Sequence, residues 1–320
     1  MSQEISTPRR SAIIYAQLVL TTLIWGGTFI AGRIAVQSVG VFSVAFLRFA
    51  IAAILLLLLC WLQIGKLPRL NRSQWLGVSL MGLAGIFAYN AFFLGGLKLL
   101  PASRASLIVA FNPISVSLGS AIFYREPLSK SKILGTLISL LGVAIVIAQG
   151  NPLNLLHTGI GLGDWLLLGC VTSWVTYTLL GKQVLQTISP LVVTTYSCVI
   201  GALSLFPIAL TEILFSTLPS ITPIAALSIT YMGILGTVIA FIWYSQGIQT
   251  IGASRTAIFT NLVPVSAVMM GILFLRESLQ PSLVIGGCLV ITGVVLTNQP
   301  PQTQTPPIQP AQQQPSNSGG

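Results

Sequence analysis

Charge is what this chain has least of. Only 6% of its 320 residues are Asp, Glu, Lys or Arg, against roughly a quarter in a soluble domain. So few charges cannot make a water-soluble surface. With 54% of its residues hydrophobic, the chain reads as an integral membrane protein. Acids are rarer still: Glu4, Glu126, Asp164, Glu212 and Glu277 are all there are, and each maps to a helix end or a loop. A membrane enzyme acting on lipids would need clustered His, Asp, Glu or Cys. With one histidine, His157, in a loop and five dispersed acids, no enzymatic activity is expected. The cysteines Cys60, Cys170, Cys198 and Cys288 lie inside apolar segments without metal-ligand spacing. They read as small core residues, so no metal and no cofactor are expected. There is no Walker motif, and GIGLGD at 159–164 follows no strand and opens an apolar helix, so a nucleotide site is not expected either.

The net charge of +10 does not point to nucleic acid. The 15 basic residues stand singly between apolar blocks, with no basic stripe. Ten segments have the roughly 20 apolar residues that a spanning helix needs: 12–35, 41–62, 74–97, 102–124, 131–149, 161–182, 190–211, 223–248, 252–275 and 280–298. They are continuous runs, as helices require, and not the short alternating runs of a membrane barrel. The first is too long for a signal-peptide core and reads as a retained span. With the N-terminus inside, ten Lys and Arg face the cytoplasm and four the outside, which places both termini in the cytoplasm of a multi-pass cell-membrane protein. Residues 1–11 form an N-terminal tail and 150–160 a Gly-, Asn- and Pro-containing linker. The Pro- and Gln-rich 299–320 reads as a disordered tail.

One phrase occurs twice. ASRASLIVAFNPISVSLGSAIFYREPL at 102–128 returns as ASRTAIFTNLVPVSAVMMGILFLRESL at 253–279, 151 positions later and without a gap. Over 102–147 and 253–298, 13 of 46 positions are identical, among them Arg104/Arg255, Pro113/Pro264, Arg125/Arg276, Glu126/Glu277, Gly135/Gly286 and Gly142/Gly293. Trp25 and Trp174, like Arg33 and Lys182, match at an offset of 149. The chain divides into repeats at 12–149 and 161–298 with five spans each. Five is odd, so the second repeat enters the membrane in the opposite sense. The expected fold is all-α, ten transmembrane helices arranged as two inverted five-helix repeats around a central cavity, a design used by secondary transporters.

With WGGTF at 25–29, LRFAIAA at 47–53, both ASR helix starts, the RE pairs at 125–126 and 276–277 and GDWLLLGCVTSWVTYTLLGK at 163–182, the chain resembles the EamA-type exporters of the drug/metabolite transporter superfamily. The resemblance covers roughly 12–298. It implies a ten-helix bundle around a cavity and the export of amino acids, other metabolites or toxic compounds. One departure is the absence of the family's frequent Pro at the start of its second helix, in QSVGVFSVAFLRF.

Polar and aromatic groups at membrane depth are the candidates for substrate contact. Arg48 is the best single charge, about seven residues into the second span: it could hold a carboxylate or phosphate, snorkel, or be a strut satisfied by backbone carbonyls. Trp25 and Trp174 could stack on a flat or cationic substrate or pack helices, and Tyr177 lies one turn from Trp174. Tyr89 and Asn90 lie mid-span, and Trp243 and Tyr244 lie deeper along the eighth span. Asn112 precedes Pro113 and Asn261 lies three residues before Pro264, where they could meet substrate or a freed backbone carbonyl. The RE pairs read as interfacial anchors or caps, with a gating latch as the sharper alternative. The partners expected are a small-molecule substrate and the lipid bilayer, with the chain acting as a monomer or homodimer. Proton antiport and facilitated diffusion both remain open. So do a flippase-like carrier of a lipid-linked compound and a non-transporting membrane sensor or assembly protein.

Overall fold

The computed structural model describes residues 8–124, 130–148, 150, 160–215, 221–251, 259–260 and 262–297. Among these residues there is helix and no strand. In chain order we label α1 (Pro8–Ser38), α2 (Val41–Ile64), α3 (Arg72–Leu99), α4 (Ala102–Tyr124), α5 (Lys130–Ile147), α6 (Leu162–Val184), α7 (Pro190–Phe215), α8 (from Pro223 to Ile251), α9 (Leu262–Leu275) and α10 (Pro281–Thr297). Six of them, α1, α2, α3, α4, α7 and α8, contain stretches long and apolar enough to cross a membrane, and α5, α9 and α10 hold shorter apolar helices. α6 is more polar, with threonines even on its exposed face. Thr172, Thr176 and Thr178 each donate to a carbonyl four residues back, on Leu168, Thr172 and Trp174. That removes most of the cost of a hydroxyl away from water.

Local chemistry sets the helix ends. Gly65, at φ +75°, closes α2 by donating its N–H to the Trp61 carbonyl at 2.7 Å, a left-handed conformation that glycine adopts without a Cβ penalty. Asn71 and Gln74 form a reciprocal capping box at the start of α3. Thr222 caps α8 just ahead of Pro223.

The neighbours show the internal symmetry. α1 packs on α8 and α9, while α6 packs on α3 and α4; α2 lies along α7, and α5 along α10. Exchanging every helix for its counterpart five along leaves this pattern unchanged. The α5–α10 contact uses the repeated glycines, because without a hydrophobic drive between helices close backbone approach must supply the packing. A Cβ on Gly142 would lie 2.6 Å from the Gly286 carbonyl oxygen and 2.8 Å from the Val290 nitrogen. Backbone cannot yield as a side-chain tip can. Gly142→Val is therefore expected to cost about 1–3 kcal/mol, the usual range for overpacking, as a lowered unfolding temperature of the purified protein. An unchanged temperature would show that this crossing is not tightly packed.

Candidate functional site

Two long helices are widened at equivalent places. α3 passes through a π-helical stretch at Gly82–Ala88 and α8 through another at Ile234–Ile239. Both begin in the same five-residue pattern, Met81-Gly82-x-x-Gly85 and Met232-Gly233-x-x-Gly236, again 151 apart. The glycines admit a neighbouring helix. A Cβ on Gly82 would meet the Ser197 carbonyl at 2.8 Å, and one on Gly233 the Arg48 carbonyl at 3.0 Å. Gly85 lies against the Tyr177 ring and Gly236 against the Thr28 methyl. Ser197 and Arg48, like Tyr177 and Thr28, are themselves counterparts at the offset of 149. Each π turn is thus clamped alike by the other half. Such turns leave carbonyls out of the regular ladder and concentrate at functional sites; here the Thr237 hydroxyl donates to the Met232 carbonyl at 2.9 Å.

Arg48 joins the two turns. It is only 5% exposed. Its Nε donates to Thr237 Oγ1 and its Nη1 to Asn90 Oδ1, each at 3.1 Å. Asn90 in turn donates from Nδ2 to the Ile86 carbonyl at 2.9 Å. The guanidinium also lies 4.9 Å from the Phe49 ring centre. Both hydrogen-bond partners are neutral. The titratable groups facing the guanidinium are Tyr89 and Cys198, a phenol and a thiol and not carboxylates. The described acids are engaged elsewhere: Asp164 with Arg104, Glu212 with Ser43 and Glu277 with Ala102 and Ser103. A cation is thus buried with no carboxylate beside it among the described residues.

Next to Arg48 is a cluster of rings from α1, α3, α6 and α8. Trp25 meets Tyr244 at 5.1 Å, Phe241 at 5.8 Å and Trp174 at 6.3 Å between centroids. Trp174 stacks on Tyr177 at 5.4 Å and meets Tyr89 at 5.3 Å. Phe93 continues the cluster to Phe29. The Trp25 indole N–H donates to the Gly236 carbonyl at 3.1 Å, on the second π turn. Trp25, Tyr89, Trp174, Tyr177 and Tyr244 are half-buried although four helices surround them.

The structure therefore brings together seven of the residues singled out in the sequence: Trp25, Arg48, Tyr89, Asn90, Trp174, Tyr177 and Tyr244. It does not bring in Trp243, whose ring makes no contact with the cluster among the described residues; Phe241 and Tyr244 take the inward positions on α8. Asn112 is buried where α4 breaks after Val109, and its Oδ1 has no hydrogen-bond partner among the described residues. It joins neither Arg48 nor the rings. Asn261 lies outside the described residues, as do Arg125, Glu126 and His157. Thr237 and Phe241 were not anticipated; the repeated Met-Gly-x-x-Gly pattern was the signal available for them.

One end of the bundle is tied by charge. Glu277, just beyond α9, accepts from the Ala102 and Ser103 N–H groups at 2.8 and 3.0 Å and from the Ser103 hydroxyl at 2.6 Å, capping α4. Glu212, near the end of α7, accepts from the Ser43 N–H and hydroxyl at the start of α2. Arg104 and Asp164 join α4 to α6 through a pair at 2.8 Å. Arg33 donates to the Leu97 and Leu100 carbonyls at the end of α3. A cavity of about 490 Å³ opens at this end, lined among others by Arg33, Gln37, Pro101 and Glu277.

Comparison with known proteins accords with this architecture. The model of the EamA-like transporter family matches residues 11–148 and again 161–299, so the chain belongs to that family. The uncharacterized transporter YyaM of Bacillus subtilis (strain 168) is 32% identical over 289 residues, spanning 88% of this chain and 92% of the relative. A protein of Streptantibioticus cattleyicolor named "Probable terminal-alkyne amino-acid exporter" is 26% identical over 284 residues, spanning 88% of this chain and 92% of its own. A solved crystal structure shares the fold with a TM-score of 0.64 at 19% identity, covering 89% of this chain and 97% of the other. The chain is a membrane transporter and not an enzyme.

Proposed function

We propose that the protein exports small metabolites such as amino acids by alternating access, with the ring cluster and Arg48 as the substrate site. In this reading ten spans form two inverted five-helix repeats with both termini in the cytoplasm. The observation that carries it is the half-buried set of Trp25, Tyr89, Trp174, Tyr177 and Tyr244 at the centre of four helices, beside a buried cation. A packed core would bury those rings fully; a cavity wall leaves them partly accessible. The twofold pattern of helix neighbours supports two halves that exchange roles around this site. The relative named as an amino-acid exporter supports the substrate range.

The test is flux from proteoliposomes preloaded with mixed amino acids and small metabolites, with and without an imposed pH gradient. Selective loss of particular compounds is expected. Loss without the gradient identifies a facilitator, and loss only with it a proton-coupled carrier. Retention of every compound under both conditions would overturn the reading.

A further inference from the structure

The charge at the site specifies more than its size does. A guanidinium has five N–H donors. At Arg48 one is used by Thr237 and one by Asn90, and Nη2 makes no hydrogen bond to any described residue. A buried cation is costly without a counter-charge, and a planar fork with free donors on its Nη edge matches a carboxylate. The rings begin one residue from each of its partners: Tyr89 precedes Asn90, and Trp25 is held by the carbonyl of Gly236, which precedes Thr237. No described acid stands nearby to pair with an amine.

We infer that the site recognises a carboxylate attached to a flat, mainly apolar body, with the carboxylate on Arg48 and the body against Trp25, Tyr89 and Trp174, and that an amino group on the ligand is not required. This rests on the ring cluster being the transport site, and it narrows the substrate class. The carboxylate supplies the missing counter-charge. The body gains contact with ring faces and edges.

The full chain in lipid nanodiscs can be unfolded thermally with 3-phenylpropionate, L-phenylalanine or phenethylamine present. Both carboxylates are expected to stabilise it with similar apparent affinities, and phenethylamine at least about tenfold more weakly. Arg48→Lys keeps the charge but loses the fork, and binding of 3-phenylpropionate should weaken about tenfold. Asn90→Asp installs a carboxylate beside Arg48; this variant should fold and lose 3-phenylpropionate binding. Three results overturn the inference: phenethylamine binding as tightly as the acids, no stabilisation by either acid, or Asn90→Asp binding like the wild type. Flux of other compounds with no binding of either acid would leave the transporter reading standing and remove this one. Binding of the acids with no flux of anything would do the reverse.

Discussion

Asn90→Leu is expected to destabilise the protein by about 2–3 kcal/mol, while Arg48→Met should cost little or nothing. Losing a hydrogen bond to a charged group costs about 1.5–3 kcal/mol. Asn90→Leu removes the acceptor of Arg48 Nη1 and leaves the buried guanidinium, among the described residues, with its hydrogen bond to Thr237 and the Phe49 ring. It also strips the Ile86 carbonyl of its side-chain donor. Arg48→Met fills similar space without charge. It strands Asn90 Oδ1, but it removes a cation whose insertion near a helix centre costs about 2.5–3.5 kcal/mol. These effects nearly cancel, as when buried ions are replaced by apolar residues. The double variant Arg48→Met/Asn90→Leu should be more stable than Asn90→Leu alone. Both single variants should lose transport. Thermal unfolding in one nanodisc preparation decides the stability order. Were Arg48→Met the more damaged of the two, Arg48 would be a strut and its claim to substrate would fall.

Glu277→Ala should unfasten one face of the bundle. The carboxylate holds two backbone N–H groups and a hydroxyl at the start of α4 from a position just past α9. These bonds, together with the favourable placement of negative charge at a helix N-terminus, come to about 3 kcal/mol on the scale of charged hydrogen bonds. If the contact exists only while this face is closed, its loss shifts the equilibrium between faces by roughly a hundredfold, since each 1.4 kcal/mol is a factor of ten. Gln37 lines the adjoining cavity. A Gln37→Cys reporter should then react with a membrane-impermeant maleimide at least about tenfold faster in the Glu277→Ala background. A less stable protein with an unchanged labelling rate would mean that Glu277 caps a helix and latches nothing.

Much of this architecture was legible in the sequence, for identifiable reasons. Apolar runs of spanning length marked the helices, and Arg48 stood out as a charge well inside one, about seven residues in. The duplicated glycines in 135–142 and 286–293 were legible only as a repeat; the structure brings them together where α5 crosses α10. Phase along α8 was not legible. A π stretch at Ile234–Ile239 adds residues to the turn and rotates everything after it, and the stretch before it, Pro223–Gly233, is too uniformly apolar for periodicity to set the starting phase. Tyr244 therefore reaches the rings and its neighbour Trp243 does not. The use of Glu277 was half legible. Its pairing with Arg276 suggested an anchor or cap, but the helix it caps begins 175 residues earlier, and nothing local records a contact at that range.

The ties at the Glu277 end of the bundle are not fully repeated at the equivalent positions of the sequence. Asp164 and Glu212 have Tyr15 and Gln63 at the equivalent places 149 positions earlier, and Glu277 alone has an acidic counterpart, Glu126. If the carrier alternates as proposed, ties confined to one end give its empty form a preferred resting pose, the one in which these carboxylate contacts are made. Such an asymmetry would set the pose in which the empty protein waits, not the direction in which cargo moves.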